Sequence, residues 1–314
     1  MEAKMHGMTL NIINKSLRSI IILVAICFGC FVVRSVTITD LKKTILAAES
    51  GDPKNQVDLV WHYYYDQKDY SETIKWCRVI LDNPYAQEYD KGNANFVLGC
   101  CYYRGEGVKK STSDAITYWE KGAELGSASS AYNLAAVSLN DFKDLDKAII
   151  WLERASELKK PKATKFLAEL FENGYAENYP GKKLYSPNVS KDLLKSAKYY
   201  DLYIGYMNLG QINNREPLQP KIFYKLAQWY YAGEENIPQD YKKAFGYFNH
   251  TVEANEICKE EYKLAPEEIG DVLWHISLCY RFGRGVEQDE LKARKYFKLA
   301  AENGCKQAQD ALTE

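Results

Sequence analysis

The sequence predicts an all-α fold of about six stacked helix-turn-helix repeats, preceded by one N-terminal transmembrane helix. An internal repeat relates residues 94–126 to residues 272–304 without a gap, and such self-similarity is typical of repeat proteins. An apolar run at residues 20–33 lies apart from these repeats. The first stretch carries Ala94, Leu98, Gly99, Tyr102, Gly105, Gly107, Val108, Ala115, Tyr118, Trp119, Ala123 and Gly126, and the second carries Val272, Ile276, Ser277, Tyr280, Gly283, Gly285, Val286, Ala293, Tyr296, Phe297, Ala301 and Gly304 at the matching positions.

The composition suits a repeat protein and argues against a nucleic-acid-binding protein. Of the 314 residues, 46% are hydrophobic, which supplies ample material for a core. The formal net charge is -1, although 26% of the residues are charged. A protein that binds DNA or RNA usually carries an excess of basic residues. We therefore expect no nucleic acid among the partners of this chain.

Residues 19–38 are the candidate membrane span. Their uninterrupted apolar part, residues 19–33, would be ~22 Å long as a helix, whereas the hydrocarbon core of a bilayer is ~30 Å thick. Arg18 and Arg34 flank this part, and long cationic side chains can extend toward the headgroups. The sequence therefore predicts a short, uncleaved signal anchor.

Other interpretations of the N-terminus stay open. A cleaved signal peptide, which would make the protein secreted, needs a small-x-small site after the apolar run, and only Cys27-Phe28-Gly29 comes near this pattern. A lipoprotein would carry its lipid on Cys30, but the residues after Cys30 stay apolar. A buried core helix is disfavoured because the run is apolar on all faces.

The positive charges predict the orientation of the anchor. Lys4, Lys15 and Arg18 precede the span, whereas Arg34 follows it. This modest bias favours a cytoplasmic tail at residues 1–18. The repeats would then face the periplasm from the inner membrane of a bacterium, or the lumen of a eukaryotic compartment.

The remaining chain divides into a connecting helix at residues 39–53 and a repeat domain at residues 54–314. Within the repeat domain, the loop of the fourth pair lengthens at residues 175–190. The repeat pattern is interrupted at residues 205–220 and 256–266, which are predicted to be linkers or irregular turns. The six predicted pairs are residues 54–84, 92–126, 128–160, 162–203, 220–254 and 268–304, followed by a capping helix.

Each motif position has a physical role. A small residue beside the leucine, such as Gly99, lets two helices approach closely. An aromatic ring at the Tyr102 position fills the wedge between the helices of a pair. Gly105 and Gly107 allow positive φ in the loop, and Gly126 lies where a helix C-terminus favours a left-handed residue.

The pattern Leu98-Gly99-x-x-Tyr102-x-x-Gly105-x-Gly107-Val108, followed by Ala115-x-x-Tyr118-Trp119, resembles a Sel-one-like repeat, a relative of the tetratricopeptide repeat. The resemblance is clearest in the second and sixth pairs and covers about residues 54–314. It implies a right-handed α-α superhelix that acts as an adaptor in complexes, often in membrane, envelope or protein quality-control settings.

The resemblance also implies where a partner would bind, because the A helices of the tetratricopeptide superfamily line the concave face. Tyrosine and tryptophan bury much area at low entropic cost, and amides can pair with peptide backbone. For any single position, ordinary packing stays an alternative. The candidate partner-binding residues are Asn93, Phe96, Tyr103, Tyr132, Asn133, Lys165, Tyr224, Gln228, Tyr231, Trp274 and Arg281.

The sequence carries no motif for catalysis, a cofactor or a metal. The four histidines do not cluster at metal-ligand spacing, and no Walker loop or nucleophile elbow occurs. We therefore expect no catalytic residue, no cofactor and no metal. The most direct interpretation is a membrane-anchored scaffold that binds a protein or peptide partner on the extracytoplasmic side.

The cysteines bear on an enzymatic alternative, an envelope or secreted β-lactamase-like hydrolase. A cysteine-rich branch of the resembled family has been linked to β-lactam hydrolysis, but its members carry a cysteine pair in every repeat, which this chain lacks. Disulfides, such as Cys77 with Cys100 or Cys101, and buried free thiols both stay open. The cysteines outside the span are Cys77, Cys100, Cys101, Cys258, Cys279 and Cys305.

Overall fold

The computed structural model describes residues 38–178, 182–208 and 219–313. Their architecture is helical hairpins, as predicted, with one short two-stranded sheet. The predicted cytoplasmic tail and all but the last residue of the predicted span lie outside these ranges. No helix within the ranges combines the length and the hydropathy that crossing a membrane requires.

Two compact units make up the described chain, one up to Leu125 and one from Gly126 onward. The first unit contains a lead-in helix and two helical pairs. Its helices are α1 (Ile38–Glu49), α2 (Pro53–Trp61), α3 (Tyr70–Asp82), α4 (Glu88–Arg104) and α5 (Thr112–Glu124), with α2 and α3 forming pair 1 and α4 and α5 forming pair 2.

The second unit contains four further pairs and a terminal helix. Pair 3 is α6 (Ala128–Val137) and α7 (Leu145–Glu157), pair 4 is α8 (Pro161–Asn173) and α9 (Leu193–Asn208), pair 5 is α10 (Pro220–Ala232) and α11 (Tyr241–Ile257), and pair 6 is α12 (Pro266–Phe282) and α13 (Glu290–Glu302). The strands β1 (Ala176–Asn178) and β2 (Lys182–Leu184) lie within pair 4, a 3-10 turn (Glu260–Tyr262) precedes α12, and α14 (Lys306–Thr313) ends the described chain.

The second helix of every pair, its B helix, begins at a side-chain cap. The oxygen of an Asp or Ser accepts a hydrogen bond from the backbone N–H three residues later, which satisfies a donor that has no partner inside the helix. The aspartates Asp144 and Asp240 do this at 2.9 and 3.0 Å. The capping residues are Asp69, Ser111, Asp144, Asp192, Asp240 and Asp289.

The first helix of a pair, its A helix, ends differently in different pairs. In pairs 2, 4, 5 and 6 it ends at a glycine in the left-handed region, and the predicted positive φ of Gly105 (77°) and Gly107 (70°) is confirmed. In pairs 1 and 3 the A helix continues as a π-helical turn, His62–Gln67 and Ser138–Phe142. These turns end at Lys68 and Lys143, which take the left-handed conformation without being glycine.

The wedge and small-residue roles are confirmed in pair 2. The rings of Tyr102 and Tyr118 stack with their centroids 5.2 Å apart. A Cβ added to Gly99 would overlap the indole of Trp119, so the glycine allows α4 and α5 to approach. The same stacking joins Phe171 to Tyr199, and it recurs in pairs 5 and 6 as Tyr230 with Tyr247 and Tyr280 with Tyr296.

The long connection predicted in pair 4 is present and contains an antiparallel hairpin, in which Ala176 pairs with Leu184. One prediction about an irregular segment was wrong, because residues 205–208 belong to helix α9 rather than to a linker. Helix α9 extends there because buried Tyr203 and Tyr206 follow one another on a packed face, and the Tyr206 hydroxyl donates to the Ser156 carbonyl at 3.0 Å.

Candidate functional site

The eleven candidate partner-binding residues all lie on A helices and all reach solvent. Nine are half-buried, and Gln228 and Arg281 are exposed. Adjacent residues on the same helices, such as Leu98 and Leu226, are fully buried. Three candidates lie in the first unit and eight in the second, and whether they bind a partner remains a prediction.

In the first unit, Tyr103 and Phe96 contact the buried indole of Trp119. The Tyr103 and Trp119 ring centroids are 5.5 Å apart, and the Trp119 Nε1–H donates to the Phe96 carbonyl at 3.1 Å. The Lys110 ammonium lies 5.8 Å from the centre of the Tyr103 ring. Tyr103 therefore packs with one side of its ring and remains partly open to solvent.

In the second unit, side-chain hydrogen bonds join the A helices α10 and α12. The Tyr224 hydroxyl donates to Asp271 Oδ2 at 2.6 Å. His275 Nδ1 lies 3.2 Å from the same oxygen, and the Tyr231 ring meets the imidazole edge-on at 5.0 Å. Arg284 Nη1 then donates to the Tyr231 hydroxyl at 2.6 Å. Two candidates, Tyr224 and Tyr231, are thereby held in fixed positions.

Asp271 and His275 each stabilise the charged form of the other. Burial opposes ionisation of Asp271, but the hydrogen bond and the charge of His275 keep the pKa of Asp271 below its usual value. Burial likewise opposes protonation of His275, but the hydrogen bond and the charge of Asp271 raise the pKa of His275 above its usual value. The pair therefore favours an ionised carboxylate beside a protonated imidazole.

Asp271, His275 and Arg284 were not among the predicted site residues. Asp271 occupies the position in pair 6 that Asn93 occupies in pair 2, so the repeat register could have pointed to it. His275 carries no comparable signal, because the four histidines share no spacing that indicates a site. The contact of Arg284 with pair 5 depends on how consecutive pairs pack, which the register alone does not indicate.

A second set of bonds joins the A helices α8 and α10. Lys225 Nζ forms an ion pair with Glu172 Oε1 at 2.6 Å, and the Tyr200 hydroxyl donates to Glu172 Oε2 at 2.7 Å. Lys165 Nζ donates to Gln219 Oε1 at 3.2 Å. The A helices α8, α10 and α12 are thus connected by polar side chains as well as by a shared apolar cluster.

Three further candidates of the second unit have separate surroundings. Trp274 packs on Phe297, with the ring centroids 5.5 Å apart. The Arg281 guanidinium lies 5.6 Å from the centre of the Phe282 ring. Tyr132 lines a small cavity.

All six cysteines of the described chain are free thiols, so the structure does not contain the disulfides that the sequence left open. Burial raises the pKa of Cys101 and of Cys279 to about 12. Thiols with such high pKa values are protonated at neutral pH and react poorly. Their burial indicates that they serve as small apolar packing residues.

Four segments of the chain match the Sel1 repeat: residues 92–127, 128–160, 224–249 and 270–305. These segments fall on pairs 2, 3, 5 and 6.

The chain is similar to chitin synthase regulatory factor 3 of Schizosaccharomyces pombe, with 23% identity over 250 residues, which cover 70% of this chain and 25% of that protein. It is also similar to an uncharacterized Sel1-like repeat-containing protein of the same organism, with 23% identity over 210 residues, which cover 66% of this chain and 28% of that protein.

Solved Sel1-like proteins are similar as well. The c5321 protein of uropathogenic Escherichia coli, a protective antigen with an SLR fold, shares 20% identity and a TM-score of 0.47 over 86% of this chain and 50% of that chain. A Sel1 repeat protein from Oxalobacter formigenes shares 20% identity and a TM-score of 0.41 over 82% and 86%. This chain spans about a quarter of the length of the two fungal relatives. The chain thus contains Sel1 repeats, which its four matched segments show.

Proposed function

We propose that this protein is a scaffold without catalytic activity, which binds a protein or peptide partner along the surface of its A helices. The observation that carries the proposal is the exposure pattern of those helices: the eleven candidate positions reach solvent while the Leu and Ala positions between them are buried. Repeat proteins commonly use such surfaces for binding.

The rigidity of the second unit supports the proposal. The hydrogen bonds Tyr224–Asp271 and Arg284–Tyr231, together with the ion pair Lys225–Glu172, hold side chains of consecutive A helices in place. A surface that is ordered before binding loses less conformational entropy when the partner docks. Half-buried aromatic rings on a fixed support are typical of residues that dominate binding energy.

The test is capture of partners from cells by a tagged full-length chain, with the captured proteins identified by mass spectrometry. A variant with Tyr103, Tyr231 and Trp274 replaced by alanine should lose a recurrent partner. The control variant replaces Tyr85 and Ile150, which are 81% and 64% exposed and lie outside the candidate set. Equal capture by both variants, with unchanged folding by circular dichroism, would refute the proposal.

The anchor and the compartment are part of the proposal. Residues 19–38 would insert as a signal anchor in the cell membrane, with the repeats on the extracytoplasmic side, and the support for this is the apolar run between Arg18 and Arg34. Extraction at alkaline pH and protease digestion of intact spheroplasts test it. Release of the full-length chain at alkaline pH, or protection of the repeats from protease, would contradict it.

One fungal relative is named as a regulatory factor, and the match covers 25% of that protein. We propose that this chain, too, regulates its partner by binding it. A nitrocefin assay on the purified chain tests the hydrolase alternative, and measurable turnover would reject the scaffold as the whole function.

A further inference from the structure

A cavity of about 140 Å³ opens on pair 3, inside the second unit. Tyr132, one of the candidate partner-binding residues, forms part of its wall, and Phe166 of pair 4 forms another part. None of its lining residues is charged, and Asn140 contributes the amide among them. The cavity thus joins the A-helix surface to the apolar interior of pair 3.

The cavity lies where other pairs place two aromatic rings. In pair 2, the ring of Tyr103, which follows the wedge position, packs against Trp119 of the B helix with the centroids 5.5 Å apart. In pair 5, Tyr231 packs in the same way against Phe248, at 5.9 Å. In pair 3 the corresponding residues are Leu139 and Leu152, and both line the cavity. Leucine side chains are smaller than the rings that pairs 2 and 5 carry at these positions, and Leu139 and Leu152 are 6% and 1% exposed.

The backbone of pair 3 contributes to the same opening. Ser138 stands at the wedge position, where four other pairs carry a stacked ring, and its hydroxyl bonds back to the Leu134 carbonyl at 2.8 Å. From Ser138 the chain winds as a π turn that contains Leu139 and Asn140. Single π turns of this kind are rare and occur often at functional sites.

The size and the walls of the cavity determine what can occupy it. Apolar cavities of about 150 Å³ bind benzene-sized molecules, so this one has room for the side chain of a leucine or a phenylalanine. A charged group would lose its hydration without meeting a counter-charge among the lining residues. A closed apolar void costs packing energy, whereas one that a partner fills recovers it.

We propose that this cavity binds one apolar side chain, of leucine or phenylalanine size, from a peptide segment of the partner. The proposal rests on the scaffold function proposed above and names the apolar side chain that the partner must carry. Tyr132 forms part of the cavity wall and is also a candidate partner-binding residue, so the backbone of the bound segment would continue over the neighbouring A-helix residues.

The probes are N-acetyl-leucinamide and N-acetyl-phenylalaninamide, with N-acetyl-glycinamide as the control that lacks an apolar side chain. Methyl NMR of the full chain should show saturable shifts for Leu139 and Leu152 at millimolar concentrations of the two apolar probes, an affinity that suits ligands of this size. The glycine probe should leave both leucines unshifted.

The variant Leu139→Tyr places in pair 3 the ring that pairs 2 and 5 carry, and it should weaken probe binding by at least about tenfold, because the ring fills the cavity. Ile150→Tyr, the same kind of change at a position 64% exposed, should bind like the unchanged chain. Ala136→Leu, at the cavity wall, is a second filling variant in case Leu139→Tyr disturbs folding.

Absence of saturable shifts, equal binding of the glycine probe, or full binding by both filling variants would overturn the proposal. These outcomes are separable from a failure of the scaffold function. If the cavity binds the probes but the alanine variants of the A helices capture partners normally, the scaffold surface is wrong. If capture depends on the A helices and the cavity stays empty, only the proposed binding of an apolar side chain in the cavity is wrong.

Discussion

The backbone N–H of Asp192 donates to the carbonyl of Phe171 at 2.8 Å, across the hairpin insertion of pair 4. The same bond, from the B-helix cap to the wedge-position carbonyl, closes every pair at 2.8 to 3.0 Å. It is present where the connection is a Gly-x-Gly loop, a π turn or a hairpin. The donors and acceptors are Asp69 to Tyr63, Ser111 to Tyr102, Asp144 to Ser138, Asp192 to Phe171, Asp240 to Tyr230 and Asp289 to Tyr280.

This bond explains why the insertion in pair 4 leaves the helical pair intact. Asp192 also caps α9 through Lys195 N at 2.9 Å and accepts a hydrogen bond from Asn236 Nδ2 at 2.7 Å. One residue therefore closes the pair, begins its B helix and contacts the next pair. The cap and the closing bond do not depend on the length of the loop.

Replacing Asp192 by alanine should destabilise the chain by about 1 kcal/mol, because the cap of α9 is lost. Hydrogen bonds from Lys195 and Asn236 hold the pKa of Asp192 below its usual value. This contribution is therefore present above the unfolded pKa of about 3.9 and is lost as the pH falls through the lower folded pKa. Urea unfolding at neutral pH measures the effect. Asp192→Asn, which keeps an acceptor oxygen, is the control, and an equal loss in both variants would contradict the capping role.

Leu98→Ala should destabilise the chain by about 2–5 kcal/mol, because it opens a cavity in a packed pair. Leu98 is fully buried, whereas Leu291 is 82% exposed. Leu291→Ala is therefore the matched control, and its effect should stay within about 0.5 kcal/mol. Chemical denaturation of both variants decides the prediction, and equal midpoints would show that the assigned core face of α4 is wrong.

Gly107→Val should destabilise pair 2, because the φ of Gly107 is +70° and a Cβ there would lie 2.8 Å from Tyr70 Cβ. A β-branched residue in the left-handed region is strained even without that contact. The control is Gly246→Ala, which lies within α11 with open space around the new Cβ and should stabilise by about 0.5–1 kcal/mol. Thermal melts of the two variants should move in opposite directions. A harmless Gly107→Val would refute the loop geometry.

The stability of the second unit should depend on pH through His275. Its folded pKa is raised by Asp271, so its contribution is fully present below the unfolded value of about 6.5. The contribution is lost as the pH rises through the folded pKa. Asp271→Asn should remove this dependence, and His250→Gln, at an exposed imidazole beside Glu253, should leave it unchanged. The measurement is the urea midpoint between about pH 5 and 8, and a pH dependence that survives Asp271→Asn would contradict the assignment to this pair.

The helical pairs, their motif roles and most of their boundaries could be predicted from the sequence alone. Leucine, small and aromatic residues recur at the spacing that one helical face requires, and this local signal needs no knowledge of the neighbours. Glycines such as Gly105 and Gly107 were identifiable because few other residues tolerate their φ. The Asp and Ser caps follow the same local logic, since each cap and the donor it satisfies lie three residues apart.

Only the tertiary structure decided how one pair meets the next. The contacts Tyr224–Asp271 and Arg284–Tyr231 join residues about fifty positions apart, and no periodicity encodes which side chains meet across that distance. The cavity beside Leu139 is likewise invisible in the sequence, where Leu139 and Leu152 are two ordinary apolar residues. Its walls come from pair 3 and from Phe166 of pair 4, so its existence depends on how the helices pack.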